Sequence, residues 1–220
     1  WMMFGVIGIP IKKALDLNAT QFGILTATPV LTGSLIRVPL GMWTDKYGGR
    51  IVLTGLMAVC VIPIWLIAYA TEFWHFIVLG LFVGIAGGSF SVGTPYVARW
   101  FKRDQQGLAM GIFGAGNSGA AVNKFVAPVI VVAIGWTFVP QVYAVAMLVM
   151  TVAFWFFTFS DPAHRVESKV TWREQLVALK DPNVWKYCQY YSIVFGGYVA
   201  LALWMVQYYV GEYGLDIRVA

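Results

Sequence analysis

Six runs of apolar residues, each about as long as a bilayer is thick, dominate this sequence. They fall at roughly 21–43, 51–70, 73–97, 108–134, 138–159 and 185–210. A helix rises about 1.5 Å per residue, so ~20 apolar residues cross a hydrocarbon core of ~30 Å. Pro and Gly interrupt several runs, which bundled membrane helices tolerate. Only 11% of the residues are charged against 60% apolar. A soluble domain carries about 25% charged residues, so the polar surface needed in water is missing. A soluble enzyme, a nucleic-acid module and a single-anchor receptor are therefore excluded. The net charge of +5 is read by its placement, not as an affinity for nucleic acid. Cys60 and Cys188 both lie in apolar runs and do not make a disulfide framework. The expected fold class is all-α integral membrane.

The apolar run at 1–11 is too short to cross a bilayer and lacks the basic leader and cleavage site of a signal peptide. It is expected to be the outer half of a first helix cut mid-span. The loops alternate in charge. Lys46, Arg50, Arg99, Lys102, Arg103, Arg165, Lys169, Arg173, Lys180 and Lys186 fall on one side; Lys12, Lys13 and Arg218 fall on the other. That bias places the first set in the cytoplasm, in a multi-pass protein of the plasma (inner) membrane. Within the longest basic loop, 172–180 reads as a surface helix. The expected organisation is an N-terminal bundle at 1–159, a cytoplasmic connector at 160–182, and a seventh span at 183–220 that begins a second bundle.

Arg37 and Lys124 are the two basic residues left inside spans, and all ten acids fall in loops or at helix ends. A charge at membrane depth costs ~2.5–3.5 kcal/mol on insertion scales and by default marks a pathway. Each cation could snorkel to an interface, since Arg37 is only about 9 Å from the end of its span. However, helical side chains lean toward their own N-terminus, and for Arg37 in an inward-running helix that direction is the membrane middle. Lys124, in an outward-running helix, leans to the middle from the other side and is a candidate second cation. A bound anion would relieve an unpaired buried guanidinium. With no carboxylate in these spans, any coupling must use the substrate's own charge, an exchanged anion, or residues outside them.

The fourth span carries Gly80, Gly84, Gly87, Gly88 and Gly93, and the fifth carries Gly107, Gly111, Gly114, Gly116 and Gly119. Spacings of four let helix backbones approach closely, so tight packing is the plain expectation for both. Asn117 interrupts the second series about 15 Å into its span, near the midplane. Beside an arginine it is a candidate neutral donor to an anion oxygen, or else it bonds a neighbouring helix.

Between the second and third spans the chain reads Gly41-Met-Trp-Thr-Asp45-Lys-Tyr-Gly48-Gly49-Arg50. This resembles the cytoplasmic-loop motif of the major facilitator superfamily. The resemblance implies a cytoplasmic gate in which Asp45 is latched by Arg50, with Arg99 as a further candidate partner. The run from Gly107 to Gly119, Gly-Leu-Ala-Met-Gly-Ile-Phe-Gly-Ala-Gly-Asn-Ser-Gly, resembles the nitrate signature of the nitrate/nitrite porters within that superfamily. Ser34-Leu-Ile-Arg37-Val-Pro39 is similar to the same family's second span. The resemblance implies that Arg37 binds the anion and Asn117 contacts it. It also implies that Phe4 and Phe90 wall the site, Tyr191 donates a hydrogen bond, and Phe195 closes the pocket. Lys124 matches no shared substrate contact of the family.

Nitrate suits such a site: it is small, planar and weakly hydrated, and a guanidinium fork can hold two of its oxygens. The resemblance therefore implies a secondary carrier of nitrate and/or nitrite that works by alternating access; a single copy and no cofactor are expected. The alternatives are a facilitator for another small anion, such as formate or an organic acid, or an anion channel. Catalysis would need a ligand or acid–base cluster, and His75 and His164 lie far apart in the sequence.

Overall fold

The computed structural model describes residues 2–160 and 177–216. Among the described residues, six helical spans are long and apolar enough to cross a membrane: Ala19–Tyr47, Gly49–Tyr69, Phe73–Trp100, Gln106–Ile134, Phe138–Phe157 and Pro182–Tyr213. They coincide with the six runs read from the sequence, their ends displaced by a few residues where local caps hold. Residues 161–176, and with them most of the expected connector and surface helix, lie outside the described residues. So do Trp1 and Arg218. Val177–Lys180, the tail of that expected helix, forms a single 3₁₀ turn.

Among the described residues the chain forms ten α-helices, the first of them ahead of these spans: α1 (Phe4–Ala14), α2 (Ala19–Leu35), α3 (Arg37–Tyr47), α4 (Gly49–Leu66), α5 (Phe73–Gly84), α6 (Ser89–Ala98), α7 (Gln106–Gly114), α8 (Gly119–Ile134), α9 (Phe138–Phe157) and α10 (Pro182–Tyr213). Their boundaries have local causes. Asn18 and Gln21 open α2 with a reciprocal capping box, side chain to backbone at 3.0 and 2.8 Å. Gly48, at φ +87°, turns the chain from α3 into α4 in a region closed to most side chains. Gly49 follows it because a Cβ there would overlap the ring of Tyr96. Asp181 caps α10 by accepting from the Asn183 amide at 2.8 Å, with Pro182 in the first turn.

Three spans are irregular near their middles. α2 gives way to α3 at Ile36, because Pro39 has no N–H to offer the Leu35 carbonyl. The fourth span passes through a 3₁₀ segment at Ile85–Gly88, and the fifth through one at Ala115–Ser118. Both segments are glycine-rich, and such mid-helix tightening commonly marks a hinge.

In the bundle, α4 lies along α9, α2 along α5 and α3 along α6, while α1 packs between α2, α8 and α10. Its core contains Phe4, Ile7, Ile11, Leu25, Ile67, Phe76, Val83 and Val139. Between membrane helices the gain is close van der Waals contact more than escape from water. Buried hydroxyls are satisfied within their own helices: Thr26, Thr44 and Thr151 donate to carbonyls four residues back. Large apolar side chains such as Leu108, Phe125, Phe156 and Phe157 point outward.

Candidate functional site

Arg37 is the first residue of α3, placed where the break at Ile36 re-aims the helix. It is partly buried, and its Nε is enclosed with no hydrogen-bond partner among the described residues. Its guanidinium carbon sits 5.3 Å from the ring centre of Phe195 and 6.0 Å from that of Tyr191. Those two rings, one turn apart on α10, stack at 5.2 Å and 13°. A cation over an aromatic face gains about 2 kcal/mol when desolvated, but the ring carries no charge to neutralise it. The site is thus polarised toward an anion.

Two cavities meet at this arginine. One, of about 460 Å³, is bounded by Pro29, Ser34, Tyr191, Gly196 and Trp204. The other, of about 380 Å³, is lined by Phe90, Asn117, Asn123, Tyr143 and Tyr198. Arg37, Gly87 and Phe195 line both and form the partition between them. The second cavity also touches Ala86, Gly116 and Gly119, so it lies where the fourth and fifth spans tighten into 3₁₀ geometry.

Arg37, Asn117, Phe90, Tyr191 and Phe195, all expected at a site, therefore converge on these two spaces. Phe90 packs on Phe113 with ring centres 5.0 Å apart. Asn117 is exposed toward its cavity, and its backbone carbonyl accepts from the Tyr198 hydroxyl at 3.2 Å. Phe4 stands apart: it is fully buried in the core and lines neither cavity. Lys124 is partly buried and also lines neither.

Its neighbour Asn123, roughly 100° round the helix, takes the inward position instead. Asn123 is 8% exposed, and its Oδ1 accepts from the Tyr143 hydroxyl at 2.9 Å. Its Nδ2 donates to the Met2 carbonyl at 3.4 Å. Sequence reasoning missed Asn123, Tyr143 and Tyr198. The available signal was a second asparagine inside an apolar run, overshadowed by the charge beside it.

At the loop end of α3, Asp45 and Arg99 form an ion pair at 2.9 Å. Arg50 lies over the Trp155 ring, 4.3 Å from its centre, and donates to the Trp155 carbonyl near the end of α9. A cation there complements the helix C-terminus. The expected gate residues thus separate, with Asp45 and Arg99 joined and Arg50 clasping the sixth span.

Packing within the glycine-rich spans is uneven. A Cβ on Gly84 would overlap the Pro29 backbone, and one on Gly33 would come within 2.8 Å of the Gly84 carbonyl and 3.2 Å of Gly87 Cα. At Gly107, Gly111, Gly114, Gly116 and Gly119 nothing among the described residues lies within 4 Å of such an atom. Close approach of backbones, expected for both spans, holds for the fourth. It does not explain the fifth.

Six helices long and apolar enough to cross a membrane, gathered around a space that Arg37 enters, define a multi-pass membrane protein. More narrowly, the chain belongs to the Major Facilitator Superfamily, whose model matches residues 1–220. It is 38% identical to the probable nitrate/nitrite antiporter NarK1 of Thermus thermophilus, covering 100% of this chain and 52% of that protein. It is 32% identical to the nitrite extrusion protein of Bacillus subtilis (98% of this chain, 54% of that one). It is 30% identical to the probable nitrate transporter NarT of Staphylococcus epidermidis, over 98% and 55%. The chain spans about half the length of the curated relatives it matches. The likeness to nitrate/nitrite porters read from Arg37 and the Gly107–Gly119 run agrees with these relatives.

Proposed function

We infer that the complete protein is a secondary carrier that moves nitrate and/or nitrite across the plasma membrane by alternating access, rather than an enzyme. The observation that carries this reading is Arg37, a charged fork held against two aromatic rings at the partition of two cavities, with one N–H unpartnered among the described residues. A half-buried guanidinium with no anion beside it among the described residues is costly, and a small oxyanion offsets that cost with two parallel hydrogen bonds. The names of the similar proteins support nitrate and nitrite over formate or an organic acid.

In this reading Arg37 holds the anion, Asn117 contacts it, Tyr191 donates to it, and Phe90 and Phe195 exclude water. Phe4 backs the site from the core. The first six spans form one bundle and the seventh begins the second, with the basic loops in the cytoplasm. The irregular middles of the second, fourth and fifth spans supply the give that rocking around a midplane site requires. Asp45 and Arg99 latch the loop end, and one copy of the protein suffices for transport.

Arg37→Lys keeps the positive charge and removes the fork. In proteoliposomes containing the complete protein, that variant loses nitrate uptake to background while reconstituting normally. Uptake at the wild-type rate contradicts the assignment.

A further inference from the structure

The hydrogen-bonded Asn123–Tyr143 pair lines the second cavity together with Arg37, and the roles assigned above leave it unused. Met2 contributes a carbonyl, which can only accept, so the nitrogen of the Asn123 amide faces it and the oxygen faces Tyr143. Those two partners favour one orientation of the amide. An amide nitrogen carries two hydrogens. Met2 takes one, leaving a second donor on a side chain that lines the same cavity as Arg37. Asn117, by contrast, offers an exposed amide on a 3₁₀ segment.

We propose that Asn123 is a specificity residue that donates this second amide hydrogen to an oxygen of nitrate that the Arg37 fork leaves free, and that Tyr143 positions it. The inference rests on the carrier reading and deepens it. A guanidinium fork engages two oxygens, which is all that nitrite has. Nitrate has a third, and a donor held ready for that oxygen favours nitrate. Tyr143 touches no substrate in this scheme; it keeps the amide oxygen occupied so that the nitrogen side stays turned to its own partners. A site built to satisfy a polar atom discriminates strongly against an analogue that lacks it.

The test is the KM for nitrate and for nitrite in proteoliposomes of the complete protein, with Asn123→Leu, Tyr143→Phe and Arg37→Lys compared with wild type. Asn123→Leu is expected to raise the nitrate KM by roughly tenfold or more while shifting the nitrite KM far less. Tyr143→Phe should move the same ratio in the same direction by less, and it keeps the ring should Asn123→Leu fold poorly. Equal changes for both ions, or none, in the variant that folds would overturn the inference and reduce the pair to a tie between helices. Arg37→Lys separates the two levels of the argument. If it spoils both ions while Asn123→Leu and Tyr143→Phe leave the ratio alone, the carrier reading stands and this inference falls. If it spoils neither, both fall together.

Discussion

The fourth and fifth spans are almost equally rich in glycine, yet the structure uses the two series in opposite ways. In the fourth, Gly84 and Gly87 meet Gly33 and Pro29 of the second span at backbone distance, and Gly88 and Gly93 leave room for Leu40 and Phe113. These glycines are required by shape. In the fifth, the five signature glycines meet nothing among the described residues, although the span borders the Arg37 cavity. Composition alone does not separate a packing glycine from one that keeps a surface smooth; what faces it does.

The largest effect is expected where the obstruction is backbone. Gly84→Ala should destabilise the bundle by about 1–3 kcal/mol, because the obstruction is Pro29 backbone and cannot swing aside. Thermal unfolding of the detergent-purified protein checks this, and an unchanged midpoint would remove the distinction between the spans. A smaller loss is expected for Gly93→Ala, where the neighbour is the tip of the Phe113 ring. At the bottom of the series stands Gly111→Ala. It should leave the melting temperature at or slightly above wild type, since alanine favours helix over glycine by about 1 kcal/mol and meets no neighbour among the described residues. If that open face serves transport, the same variant slows nitrate uptake without lowering stability. Parallel losses of stability and uptake at Gly111 would instead mean that packing explains both spans.

What the sequence disclosed, and what it withheld, follows from how strongly each feature departs from its surroundings. Apolar runs of bilayer length are unmistakable, so the six spans were legible to within a few residues. Arg37 was legible because a charge in an apolar run is rare, and its aromatic partners Tyr191 and Phe195 came with the family likeness. Phe4 came by the same route, yet it lies in the core, since an aromatic in a membrane helix serves packing and a site wall equally well. Lys124 drew attention by charge, whereas the cavity is lined by uncharged Asn123 next to it. Distinguishing the two required the phase of α8, set by the 3₁₀ segment that precedes it. The pairing of Asp45 with Arg99 rather than a place beside Arg50 likewise depended on geometry. Gly48 turns the chain so that the first turn of α4 delivers Arg50 to Trp155.

In the proposed carrier the charge on Arg37 is balanced by cargo. An experimental structure of the complete protein with nitrate tests this most directly. The expected result is a planar ligand bridging two guanidinium nitrogens of Arg37, with the rings of Tyr191 and Phe195 alongside. A protein carboxylate within 4 Å of that guanidinium, or the side chain turned out to the lipid headgroups, would contradict it.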